Sequence, residues 1–152
     1  MTYNEQMQKL VREYRDQGGM WPATSHEMAT WIINNKKWEP QKSEVINICA
    51  EQVARAMREE YIVDPQGRKV RAKHAARIQQ MVLWDDIRTA SREHMQAAFQ
   101  QRRQQIVGDC RQLKLDVDSY NENKNAGKPI QLMLDFTLDI AEAELETTKV
   151  LV

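Results

Sequence analysis

Apolar positions fall at helical spacing at both ends of the chain and alternate through its middle. Tyr3, Met7, Leu10, Val11 and Tyr14 form one face of an amphipathic helix over about residues 4–17. Gly18-Gly19 ends it, because glycine accepts the left-handed conformation at a helix C-terminus. Thr24-Ser25-His26-Glu27 has capping-box spacing and starts a helix over about 25–35, which presents Met28, Ala29, Ile32 and Ile33. Asn34 to Pro40 reads as a turn, with Pro40 suited to the first position of the next helix. That helix, about 41–60, has the clearest stripe. Ile46, Cys49, Ala50, Val53, Met57 and Tyr61 are expected to be buried, with Lys42, Ser43, Asn47, Glu51, Arg55 and Arg58 opposite.

The period then changes. Tyr61-Ile62-Val63 precedes Asp64-Pro65-Gln66-Gly67, where Pro at the second position and Gly at the fourth suit a type I turn. Beyond it Lys69, Arg71 and Lys73 alternate with Val70, Ala72 and His74, which puts the cations on one face of an extended chain. The spacing predicts a strand over about 68–78, a tight turn at Gln79-Gln80 and a strand at Met81 to Trp84. Val70, His74, Ile78, Met81 and Val82 also fit a helical face, and on that reading the hairpin is lost while the basic surface stays.

Ser91 is a good N-cap for the longest element, about 92–122, or roughly 46 Å at 1.5 Å per residue. Phe99, Ile106, Leu113 and Tyr120 recur every seven residues, and Arg103, Cys110 and Val117 come four residues after the first three. Such a stripe needs a partner, either a second copy or the C-terminal segment. The expected homodimer interface is Phe99, Ile106, Cys110, Leu113, Val117 and Tyr120. Gln100, Gln101, Arg102, Gln104 and Gln105 form a polar, basic stretch that is either a solvated face or a second nucleic-acid contact. Residues 121–129 read as a loop. Ile130, Leu132, Leu134, Phe136 and Leu138 alternate, which favours an extended segment and then an acidic helix from about Thr137; helix throughout is the other reading.

Composition adds the charge distribution. The 152 residues have no formal net charge, yet residues 52–112 carry twelve Lys/Arg against seven Asp/Glu, and residues 113–152 carry four against eight. A basic middle and an acidic tail suit a binding module with a docking end. No apolar run approaches the ~20 residues of a membrane span, and the N-terminus lacks a signal-peptide pattern. Two cysteines, Cys49 and Cys110, both within helical patterns, are expected to be reduced and buried, which implies a cytoplasmic location.

Catalytic constellations are sparse. His26, His74 and His94 have no partners at zinc-ligand spacing, and Gly67 and Gly108 stand outside any phosphate loop. Asp85-Asp86 and Asp116-x-Asp118 are acidic pairs of the kind that bind divalent ions, and Glu59, Glu60 and Asp64 with Lys69 loosely suggest a metal-dependent nuclease. No metal and no cofactor is expected.

Three helices, a turn between the second and third, and then a cationic hairpin: over about residues 4–84 this order resembles the winged helix-turn-helix superfamily of DNA-binding proteins. The 36–40 connection is longer than the tightest such turns. The expected fold is mainly α with a small β-hairpin or sheet, winged-helix-like, plus a long C-terminal helix. Residues 1–88 would be the DNA-binding domain and 89–152 a dimerisation and interaction region. The resemblance implies a non-catalytic regulator that places the first half of the helix at 41–60 in the major groove of duplex DNA, with a wing at 61–78 on the backbone. The residues expected to meet DNA are Lys36, Lys37, Gln41, Lys42, Ser43, Asn47, Arg68, Lys69, Arg71, Lys73 and Arg77. The alternative is a protein–protein adaptor using the heptad helix and the acidic tail.

Overall fold

A computed structural model describes residues 1–150, with side chains through residue 147. The protein is mainly helical, with two small antiparallel sheets and a long helix. It divides into two compact units, Met1–Ala56 and Met57–Val152.

In the first unit, α1 (Tyr3–Asp16) starts at a reciprocal cap. Thr2 Oγ1 accepts from the Glu5 N–H, and Glu5 accepts from the Thr2 N–H. The same Thr-x-x-Glu spacing at Thr24 yields half of that device at the start of α2 (Ser25–Asn34), where Thr24 accepts from the Glu27 N–H. Gly18, at φ +82°, makes the left-handed exit from α1. The helices pack through Tyr14, whose ring stands edge-on to Trp31 at 5.7 Å and whose hydroxyl donates to Met20 O. Tyr14 and Ile32 are buried, and Lys37 pairs with Glu13 at 2.9 Å.

α3 (Lys42–Arg58) departs from expectation. It buries no residue, and of its positions only Glu44, Ala54 and Met57 are half-buried. The stripe of Ile46, Cys49, Ala50 and Val53 forms as a face, and each of these residues is exposed. Spacing reveals which side of a helix is apolar, not what lies against it. Cys49 is therefore exposed rather than buried, and Cys110 is half-buried; both are free thiols.

In the second unit, β1 (Tyr61–Val63) pairs with β2 (Lys69–Arg71), and β3 (Lys73–Ile78) with β4 (Met81–Asp86). The single strand expected over 68–78 is two, broken at Ala72. That residue serves both sheets: its N–H donates to Glu60 O and its C=O accepts from the Ile87 N–H. The turns match their chemistry. Gly67 sits at φ +83° and donates to Asp64 O, while Gln79 and Gln80, at φ +50° and +67°, make the two-residue turn between β3 and β4.

β3 lies against α4 (Arg92–Asn123), which Ser91 caps through the His94 N–H. The core here is small: Ala72, His74, Ala76, His94 and Ala98 are buried. Both histidines have partners. His94 Nε2 donates to His74 O, and His74 Nε2 donates to Arg71 O, each at 2.9 Å. A carbonyl can only accept, so both rings carry a proton on Nε2. Asn121, near the far end of α4, brackets Ile130 by accepting from its N–H and donating to its carbonyl. Residues 130–136 form neither strand nor helix, so their alternation yields no strand, while α5 (Thr137–Val150) begins where the acidic helix was expected and is exposed along its described side chains.

Candidate nucleic-acid interface

Sheet register places the cations. Tyr61 stands opposite Arg71 and Val63 opposite Lys69, so these four share one face of the β1–β2 hairpin, while Ile62 and Val70 turn inward. The Lys69 ammonium lies over the Tyr61 ring, 4.9 Å from its centroid. Arg102 of α4 completes the set. Partial burial, and then the Arg71 guanidinium beside it, push its pKa below that of a free arginine. Proximity of two guanidiniums is unfavourable unless an anion joins them. Lys69, Arg71 and Arg102 have no carboxylate at ion-pair distance among the described residues.

Three nearby cations are neutralised. Arg68 is bound by Asp64, which also accepts the Gln66 and Arg68 backbone N–H groups. Lys73 bridges Glu60 at 3.2 Å and Asp86 at 3.1 Å. Arg88 closes on Asp86 at 2.7 Å. Hydrogen bonds from Arg88 and then Lys73 hold the Asp86 carboxyl far below its usual range, and Asp86 and Glu60 raise Lys73. The acid and lysine groups that meet are thus Glu60, Asp86 and Lys73, not Glu59, Asp64 and Lys69, and the two carboxylates are engaged by cations. No three His, Cys, Asp or Glu side chains form a metal-holding group among the described residues.

The remaining candidates divide between the units. Arg77 holds its place on β3 through its backbone, with its side chain exposed. Lys36, at φ +55°, is exposed, whereas Lys37 is engaged by Glu13 and the Trp31 ring. Lys42, Ser43 and Asn47 are exposed on the first half of α3, just after Gln41, whose N–H donates to Glu44. Of the heptad positions, Phe99, Ile106, Leu113 and Tyr120 are between 43% and 51% exposed, with Cys110 and Val117 half-buried. Tyr61, taken in the sequence for the end of a buried stripe, is instead the platform of the cationic face. Its adjacency to Arg102, more than forty residues away, has no local signal.

No protein-family model, characterised protein or solved structure matches the chain. The winged helix-turn-helix resemblance rests on element order and charge. No helix among the described residues is long and apolar enough to cross a membrane.

Proposed function

We propose that this protein is a non-catalytic DNA-binding protein that seats the phosphate backbone of duplex DNA on the outer face of the β1–β2 hairpin. One observation carries this reading: Lys69 and Arg71 share the hairpin face with Tyr61, the Arg102 charge couples to Arg71, and none of the three has a carboxylate at ion-pair distance among the described residues, while Arg68 and Lys73 beside them are neutralised. An uncompensated cluster of this kind is set up for a polyanion. Lys42, Ser43 and Asn47, exposed on α3, are the proposed base-reading residues, and sequence preference there would make the protein a transcriptional regulator.

The test is a fluorescence titration of the four-tryptophan chain with duplex DNA across a salt series. Replacing Lys69, Arg71 and Arg102 together by alanine should lower the slope of log K against log salt by about 2.7, at roughly 0.9 per phosphate contact. Arg68→Ala, whose charge Asp64 already holds, should change it little. A folded triple variant with the wild-type slope overturns the site. In the same titration Asn47→Ala should lose roughly 1–3 kcal/mol of discrimination at one base; equal losses on all duplexes remove α3 from the reading role.

A second reading has its own support. α5 exposes Leu138, Ile140 and Leu145 together with Asp139, Glu142 and Glu146, a surface suited to a protein partner. Such docking through apolar contacts would persist at salt concentrations that release DNA.

A further inference from the structure

We infer that the Phe99–Tyr120 face of α4 is the interface with a second copy of this chain, and that the two helices pack antiparallel.

The first ground is surface. Ile106, Val107, Leu113, Leu115 and Tyr120 of α4 are each between 43% and 51% exposed, a run of large apolar side chains along one helix. A second copy is the occupant that the spacing specifies. Phe99, Ile106, Leu113 and Tyr120 recur every seven residues, and a seam with that period is matched by a helix carrying the same period. The chain's own return segment does not supply it. Ile130, Leu132, Leu134 and Phe136 alternate with period two, and with that segment in place the four heptad residues stay about half exposed.

Charge sets the direction. Along α4, Arg102 and Arg103 lie in the first half, and the second half holds Asp109, Asp116, Asp118 and Glu122 against Arg111 and Lys114, with Lys114 paired to Asp118 at 2.7 Å. A parallel, in-register pair would set Arg103 beside its own copy in the seam, an uncompensated like-charge contact. The antiparallel register that places Ile106 opposite Leu113 of the second copy also places Phe99 opposite Tyr120, and brings Arg103 level with Asp116. The shape agrees. Phe99, Ile106 and Val107 of α4, with Arg102 and Arg103 beside them, and Phe136 and Ile140 at the entry to α5 frame an open groove of about 720 Å³. On a two-fold axis near residues 109–110, the Leu113–Tyr120 half of each α4 enters the groove of the other.

Disulfide mapping on the full chain tests this. In a background with Cys49→Ser and Cys110→Ser, chains carrying Ile106→Cys and chains carrying Leu113→Cys are oxidised alone and mixed. Antiparallel packing predicts a cross-linked heterodimer in the mixture and little cross-linking of either alone, since like positions lie about 10 Å apart along the axis. Light scattering should give twice the 17.8 kDa chain mass. Self-cross-linking of Ile106→Cys overturns the direction. A wild-type mass near 17.8 kDa at tens of micromolar, or a dimer that cross-links in none of these combinations while circular dichroism shows intact helices, overturns the interface.

Discussion

The side-chain amide of Gln101 pairs with both backbone groups of Arg77: the Arg77 N–H donates to Gln101 Oε1 at 2.6 Å, and Gln101 Nε2 donates to Arg77 O at 3.0 Å. A glutamine on a helix thereby does what a neighbouring strand would do, closing the outer edge of β3. Gln101 sits one residue before Arg102, and with the His94 bond to His74 O it ties α4 to β3 at two points.

Gln101→Ala should destabilise the second unit by roughly 1–2 kcal/mol, the net worth of two partly solvated hydrogen bonds. Gln101→Glu keeps the acceptor but loses the donor, and it sets a carboxylate against Arg77 O, so it should cost as much or more. Urea midpoints of the three proteins check this. If Gln101→Glu matches the wild type, the donated bond to Arg77 O contributes nothing.

Two glycines make opposite predictions. A Cβ on Gly19 would meet the Tyr14 ring at 2.6–2.7 Å, and that ring is buried and tied to Met20 O. Gly19→Ala should therefore cost roughly 1–3 kcal/mol in the first unit, visible as loss of order around Trp31. Gly108 has nothing within 4 Å and lies inside α4, so Gly108→Ala should stabilise that helix by up to about 1 kcal/mol. Thermal denaturation monitored by helical circular dichroism separates the two signs.

Local chemistry was legible wherever the chain supplies its own partner. Ser91 caps as read, Thr24 caps with half of the expected box, Asp64 to Gly67 turns as read, and the change from helical to alternating spacing at Tyr61 marks the true start of the sheet. The reciprocal cap at Thr2–Glu5 carries the same spacing as Thr24–Glu27 and was legible by the same rule. What was not legible is long-range. The α3 stripe from Ile46 to Val53 looked like a core face, because apolar periodicity is identical whether the cover comes from the same chain or another. The break at Ala72 depends on two distant partners, Glu60 accepting from its N–H and Ile87 donating to its C=O. Which cations stay free depends on where Asp64, Glu60 and Asp86 fall after folding; alternation alone made Arg68, Lys69, Arg71 and Lys73 equivalent.

The ion-pair cluster at the sheet junction implies an acid limb. Asp86 is depressed by Arg88 and Lys73, so its folded pKa lies below its unfolded value of about 3.8. The unfolded chain thus takes up the proton first as pH falls. The stabilisation is complete above that value and is lost progressively below about pH 4. Asp64 and Glu13 are depressed by Arg68 and Lys37 and act in the same direction. Asp86→Asn should be less stable than the wild type at pH 7, and the gap should narrow as pH falls from about 4 toward about 2. Urea midpoints across that range measure it; a gap that is constant with pH would mean the carboxylate charge does not contribute.

The β3–β4 turn offers a gain. Gln79 and Gln80 both sit at positive φ, between the closing pair Ile78 and Met81. The right-handed twist of the strands demands this mirror-image turn, and glutamine reaches it against the contact between its Cβ and its own backbone carbonyl, at roughly 1 kcal/mol or more per residue. Asparagine tolerates the first position through local hydrogen bonding, and glycine takes the second without that contact. Gln79→Asn with Gln80→Gly should relieve both. Part of the gain is offset, because glycine widens the unfolded ensemble by about 0.5–1 kcal/mol. A net stabilisation of about 1 kcal/mol is expected, and it should appear in the second unit, where this hairpin packs on α4. Hydrogen exchange at Ala76 and Ile78 provides a local readout beside the urea midpoint. If the double variant is destabilised and these amides lose protection, the turn is not of the mirror-image type and β3 is paired in another register.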